Sequence, residues 1–376
     1  MTNFEELCAR PEGRLWRKGR FLVWEFSVPH RVISTSTRNG GERDDLRFLV
    51  NHQSCEGTGH GDRHSYISGL GAEAYHDAVC AELSLDPAAV ALMGTAANMN
   101  YIAISKQQDR EVLVMAIVTA GVQGNAACAG DPAGWYEING AWEKTPPLHG
   151  TINTMLLINH PLTRSALARA VVTMTEGKSA ALHRLSIGSL YSADEATGTG
   201  TDQYCLAAPL DGAPVLSSAS PHVKLGELIG LAVRTATLEA LRWQNGLEPS
   251  YTRSIFHIFG RYGLSEARFW EEIVPRLSEG NLELLKKNKM AVFHEPLVAA
   301  SSYAFAAILD RSRYGTFPAA AVGESLCQVA AMLAANVSAQ PHRYLEFKDK
   351  LRQIDLEQPL TLLVAAVAAG WSVKWS

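Results

Sequence analysis

Apolar positions follow two regimes along this 376-residue chain. In the first part, short apolar runs alternate with polar segments that carry glycine, which is a strand-and-loop pattern with occasional amphipathic helices. Residues 21–28 and 46–50 read as strands. Between them, Ser34-Thr35-Ser36-Thr37-Arg38-Asn39-Gly40-Gly41 is turn-forming, and its Asn-Gly-Gly triplet is a hairpin signal. A helix is expected over 69–83 and further strands over 90–93 and 111–119. The last is a long apolar run, as a strand buried on both faces requires. Residues 130–150 are loop-like. A strand is expected over 153–158, and Pro161 opens a helix at a favoured position. Another helix spans about 224–243. After Gly246 and Pro249 the spacing turns helical throughout. The expectation is a polar arm over 1–20, an α/β domain over 21–247 with helices packed on a mixed sheet, and a mainly α domain over 250–376.

Composition narrows the class. Hydrophobic residues make up 47% and charged residues 19%, with a net charge of −4, as in a globular protein. No basic stretch suggests nucleic acid. The apolar run 360–371 is too short to span a bilayer, and the first twenty residues lack the apolar core of a signal peptide. Six cysteines are scattered without a Cys-x-x-Cys pair, which reads as reduced thiols. A cytoplasmic location is expected, with no membrane or nucleic-acid partner; self-association stays open.

The chemistry concentrates at Ala196-Thr197-Gly198-Thr199-Gly200-Thr201-Asp202-Gln203. This run has no large apolar side chain, and its glycines and β-branched residues disfavour a helix. A hydroxyl-rich loop between two regular elements is either a turn or a site. On the helix opened by Pro161, Leu162, Ala166, Ala170, Met174, Ala181 and Leu185 share one stripe at 100° per residue. Lys178 falls inside that stripe; Glu176 falls opposite, with Arg169 and His183. A lysine on a core-facing stripe needs a carboxylate such as Asp202, or must snorkel. Glu176 reads as a solvated residue unless its face packs under the threonine loop. Asn125, Thr151 and Asn153 stand at strand edges, where they could donate to a carbonyl or an oxyanion, or simply form turns. His60-Gly61-Asp62-Arg63-His64, with His52 nearby, offers donors for a metal but matches no zinc spacing, and a polar loop accounts for it better. Neither a phosphate-binding Gly-rich loop nor a Gly-x-Ser-x-Gly elbow occurs.

Eight ordered segments resemble one family. They are Ile33-Ser34-Thr35 with Asn39-Gly40-Gly41; Asn51-His52-Gln53; Thr119-Ala120-Gly121-Val122 with Asn125-Ala126; and Ala129-Gly130-Asp131. Then come Gly150-Thr151-Ile152-Asn153-Thr154; Thr175-Glu176-Gly177-Lys178-Ser179; the threonine–glycine run to Asp202; and His222-Val223-Lys224-Leu225-Gly226-Glu227. Together they resemble the CbiZ family, the adenosylcobinamide amidohydrolases of corrinoid salvage, over about residues 20–245. The resemblance implies hydrolysis of the amide that joins the aminopropanol arm to the corrin ring, leaving adenosylcobyric acid. The corrinoid is then substrate, and no cofactor or metal is expected. Amide hydrolysis needs an activated attacking group, an oxyanion stabiliser and a proton donor for the leaving amine.

On this basis the expected catalytic residues are Asp202 (base or orienter), Lys178, Thr201, Glu176 and Asn153. Asn125, Thr151, Thr197, Thr199, Asn39 and His222 are expected to bind substrate. Trp135, Tyr136 and Trp142 could line a cleft for the ring, or anchor a loop. A shorter stretch, Asn153-Thr154-Met155-Leu156-Leu157-Ile158-Asn159, is similar to the nucleophile strand of self-cleaving aminopeptidases and ornithine acetyltransferases, which would make Thr151 or Thr154 a nucleophile at a new chain end. Two other outcomes stay open: recruitment to another amide or ester, or a corrinoid carrier without catalysis, with His52 and His222 as candidate axial ligands. The helical domain would serve as a lid or as a dimer contact.

Overall fold

The computed structural model describes residues 4–56, 61–134, 136–138, 141–143, 150–354 and 358–375. They form two compact units, one of residues 1–191 and 195–246, the other of 192–194 and 247–376.

In the first unit the strands are β1 (Glu5–Arg10), β2 (Gly13–Lys18), β3 (Phe21–Phe26), β4 (His30–Ser34), β5 (Gly41–Arg43) and β6 (Phe48–Gln53). Helix α1 (Gly61–Leu83) follows, then β7 (Val90–Thr95), β8 (Ala103–Asp109), β9 (Val112–Ala120) and β10 (Ala126–Ala127). After β11 (Tyr136–Ile138) and β12 (Ala141–Glu143) come β13 (Ile152–Ile158), α2 (Arg164–Arg184), β14 (Gly198–Thr199), β15 (Gln203–Pro209) and α3 (Lys224–Asn245). A five-stranded sheet runs β1-β2-β3-β6-β7 and a six-stranded sheet β5-β4-β15-β13-β9-β8. Both are mixed: β6 and β7 are parallel with α1 as crossover, and β13 and β15 are parallel with α2 as crossover.

The sheets face each other. Leu15, Leu22, Trp24 and Met93 of the first meet Met115, Ile117, Met155 and Leu157 of the second in one core. On the outer face of the first sheet, Val23, Val50 and Leu92 pack with Val79, Cys80 and Leu83 of α1. Helices α2 and α3 pack together, and α3 lies against β8 and β9. The unit is thus a four-layer α/β/β/α sandwich. The long apolar runs are explained by this arrangement, since β9 and β13 are covered on both faces and are almost wholly buried.

The N-terminal residues differ from expectation. They are not a polar arm but β1 and β2, the edge of the five-stranded sheet. Arginines on β2 reach carboxylates of neighbouring strands, Arg14 to Glu25 at 2.9 Å and Arg17 to Glu5 at 2.6 Å. Between those charges Leu15 and Trp16 are both buried, because this sheet too is covered on both faces. The Asn-Gly-Gly turn does close a hairpin, but between β4 and β5. The two strands expected on either side of it, β3 and β6, do pair antiparallel.

The second unit is helical: α4 (Pro249–Thr252), α5 (Ile255–Phe259), α6 (Glu266–Ile273), α7 (Glu279–Phe293), α8 (Pro296–Arg313), α9 (Ala319–Ser338), α10 (Tyr344–Leu351) and α11 (Pro359–Ser372). Phe259, Phe269, Phe293, Phe305 and Phe347 fill its core with the alanine-rich faces of α9 and α11. By length and apolarity α9 could cross a membrane; here Leu326, Ala330, Leu333, Ala334 and Val337 are buried in that core. Within this unit Arg261, 5% exposed, makes a fork onto Asp310 at 2.6 and 2.7 Å and donates to the Ala193 carbonyl at 2.6 Å.

Candidate active site

The parallel pairing of β13 with β15 brings two chain entries together: Asn153 stands opposite Gln203, and Thr119 of β9 flanks Asn153 on its other side. The threonine–glycine loop enters β15 at this point, and Thr151 enters β13. The loop is tied down along its length. Residues Gly198 and Thr199 form β14, paired with β10. The Ala129 amide donates to the Thr197 hydroxyl at 2.9 Å, and Ser179 of α2 donates to the Thr197 carbonyl at 2.9 Å.

Helix α2 delivers Lys178. Thr163 caps its start, accepting from the Ala166 amide at 3.2 Å. Ala166, Ala170, Met174 and Ala181 are buried along the stripe. Gly177 lets α2 approach α3 closely, because a Cβ there would lie 3.0 Å from the Gly230 carbonyl oxygen. The next residue, Lys178, reaches through the stripe to Asp202 Oδ2. The two side chains are 16% and 17% exposed.

Asp202 is saturated. Oδ1 accepts from the Ile152 amide at 3.0 Å and the Thr199 hydroxyl at 2.6 Å; Oδ2 accepts from Lys178 and from the Thr199 amide at 3.1 Å. A carboxylate has about four lone-pair sites, and four donors fill them. Of the two roles expected for Asp202, this geometry fits the orienter rather than the base. Gly198 makes room for the pair: a Cβ there would sit 2.6 Å from Lys178 Nζ, closer than packing allows.

Beside the pair lies a second, more open group. Thr201 is exposed; its hydroxyl donates to the Gly150 carbonyl at 2.7 Å. Asn125 Nδ2 donates to the same carbonyl at 3.0 Å and to the Thr201 hydroxyl at 3.3 Å. Thr151 donates to the Thr201 carbonyl at 2.6 Å. Tyr191 donates to Asn125 Oδ1 at 2.8 Å. Burial, then the nearby Asp131 charge, pushes the Tyr191 hydroxyl above its usual pKa and keeps it a donor. The structure therefore gathers Lys178, Thr199, Asp202, Asn125, Thr151 and Thr201, with Thr197 as the strap behind them.

Four expected site residues lie elsewhere. Glu176 is 54% exposed and 3.9 Å from Arg169; it faces solvent, as a residue two positions from a core-facing one must on a regular helix. Asn39 is buried and donates to the carbonyls of Pro87 and Val90, both at 2.7 Å, so it clamps the hairpin turn onto the other sheet. His222 is exposed and makes no bond to the cluster. Asn153 is fully buried, with Nδ2 committed to Asn51 Oδ1 at 2.9 Å and the Gly94 carbonyl at 3.0 Å. No donor remains for a substrate carbonyl; with Asn51 on Thr119 at 2.8 Å, it joins the two sheets beneath the site. Asn125 too spends its donors on protein, so it organises Thr201 rather than presenting a free N–H.

Sequence reasoning passed over Tyr191, Ser179, Gln203 (which accepts from the Gly94 amide at 2.9 Å) and the Asn51–Thr119 bridge. Asn51, Thr119 and Ser179 stood inside the quoted segments; Tyr191 had no signal. Trp135 lies outside the described residues, as do His60 and the side chains of Asp62, Arg63, His64 and Trp142; Tyr136 is exposed. Thr154 is buried in the middle of β13, opposite Val118 and Tyr204.

A sandwich with hydroxyl, amide and ammonium groups around a fixed carboxylate has the functional groups of a hydrolase site. The family model for adenosylcobinamide amidohydrolase, CbiZ, matches residues 6–249. The chain belongs to this hydrolase family. An uncharacterized protein of Methanocaldococcus jannaschii is 30% identical over 237 residues, covering 60% of this chain and 88% of that protein.

Proposed function

We propose that the protein hydrolyses the amide between the corrin ring and the aminopropanol arm of adenosylcobinamide, giving adenosylcobyric acid and free aminopropanol. Membership of the family over residues 6–249 carries this reading, and the cluster is compatible with it. In the reaction Thr201, the exposed hydroxyl, faces the substrate. It either orients the attacking water or attacks itself. Lys178 has ammonium protons beyond the one given to Asp202; one of them can serve the leaving amine, and the proton lost by the attacking water or hydroxyl restores it. Asp202 holds that ammonium and the loop in place. The corrinoid is substrate, no resident metal or cofactor is invoked, and the setting is the cytoplasm.

Visible-absorbance titration with adenosylcobinamide, combined with product analysis, tests the reading. Binding with release of aminopropanol is the expected result. Binding without release would make the protein a corrinoid carrier. Absence of both would point to another amide or ester.

A further inference from the structure

Asn125 sits at the centre of the open half of the site, and its usefulness depends on which way its amide points. An asparagine side chain presents an acceptor on one side and donors on the other. Here Nδ2 faces two oxygens, the Gly150 carbonyl and the Thr201 hydroxyl. A rotation of the amide by half a turn would set Oδ1 against the Gly150 carbonyl, acceptor against acceptor. What selects the observed orientation from outside is Tyr191, whose hydroxyl donates to Oδ1 at 2.8 Å.

Tyr191 is itself held to this task. The Leu190 amide donates to the Ala126 carbonyl at 2.9 Å. The Tyr191 amide donates to the Ser189 hydroxyl at 3.0 Å, and Ser189 donates to Asp131 Oδ2 at 2.6 Å. The residue is 37% exposed, and its hydroxyl bond ties it to the site.

We propose that Tyr191 is a positioning residue. Its hydroxyl fixes the Asn125 amide and, through it, the direction of the Thr201 hydroxyl. The inference rests on the reading of Thr201 as the group that faces the substrate. The chain of bonds runs from Tyr191 to Asn125 to Thr201, so the effect of losing the phenolic hydroxyl must pass through Asn125.

The test is Tyr191→Phe, made alone and in an Asn125→Ala background. Alone it is expected to lower kcat about tenfold, as loss of one hydrogen bond worth about 1.4 kcal/mol would. KM should stay within about twofold and the thermal midpoint should barely move. In the Asn125→Ala background the same change should cost nothing further, the non-additivity of groups acting in series. Full kcat in Tyr191→Phe, or an additive loss in the double variant, overturns the proposal. A readout independent of turnover is the side-chain amide pair of Asn125 in an ¹⁵N-resolved NMR spectrum. Tyr191→Phe should shift and broaden it; an unchanged pair overturns the proposal even in a protein that turns over. If the wild type releases no aminopropanol while the Asn125 pair still responds, the proposed reaction fails and the positioning role stands.

Discussion

Asp202 and Lys178 form a pair whose members cannot be exchanged singly. Asp202→Asn puts an NH2 group in place of one accepting oxygen, against the Ile152 amide at Oδ1 or the Thr199 amide at Oδ2, and it leaves the Lys178 ammonium without a counter-charge at 16% exposure. Breaking one side of a buried pair costs about 3–5 kcal/mol, and this part-buried pair sits below that range. Asp202→Asn should therefore lose stability as well as turnover, read from a denaturant midpoint beside the aminopropanol assay. Adding Lys178→Met should recover stability but not activity. A single variant that keeps its midpoint would show the pair to be peripheral. Lys178 was legible from the sequence because a charge on an apolar stripe has few ways to be satisfied. Asn153 was not legible. Its strand-edge position was recognised, but an amide there can turn to the solvent or inward to another sheet, and local sequence does not say which. Tyr191 was beyond reach for a related reason: its partner is 66 residues away.

Strands β9 and β13 and helices α2 and α3 could be read from their patterns, since an apolar run or a 3.6-residue stripe reports burial directly. The pairing of strands could be read only in part. Residues 21–28 and 46–50 look like the arms of one hairpin and do pair, as β3 and β6, but β4 and β5 are inserted between them and belong to the opposite sheet. Strands β1 and β2 hid behind their arginines. Strand β4 starts at His30, which carries a consequence for stability. It is 2% exposed, stacks on Phe26 and bonds the Val28 carbonyl at 2.7 Å. Burial outweighs that bond and holds its pKa below 6.5; His76, on α1, is lowered in the same way, by burial first and by Arg38 in addition. The folded state then binds fewer protons than the unfolded chain as pH falls through about 6.5, so stability is lost on acidification through that region. The thermal midpoint should drop between about pH 7.5 and about pH 5, and His30→Gln should flatten the slope. A slope that His30→Gln leaves unchanged would assign the loss to other groups.

On the scale of the whole chain, the family match ends at residue 249, close to the division between the compact units at 246 and 247. The helical unit has its own aromatic core and its own buried ion pair, Arg261 with Asp310. Its helical character was plain from the spacing beyond residue 250; its role was not, because apolar helices pack alike whatever they serve. The burial of Thr154 within the β13 ladder also bears on the whole chain. Intact-mass measurement should give one uncut species at 40.8 kDa. Two fragments meeting at residue 151 or 154 would instead make a threonine the nucleophile of a self-processed enzyme.

The central claim is that this chain breaks one amide bond of adenosylcobinamide with water. Incubation with adenosylcobinamide in ¹⁸O-labelled water, followed by mass spectrometry of both products, tests it most directly. The account predicts free aminopropanol in step with adenosylcobyric acid whose new carboxylate carries the label, and loss of both products in Asp202→Asn. Recovery of intact adenosylcobinamide after prolonged incubation with folded protein would contradict it.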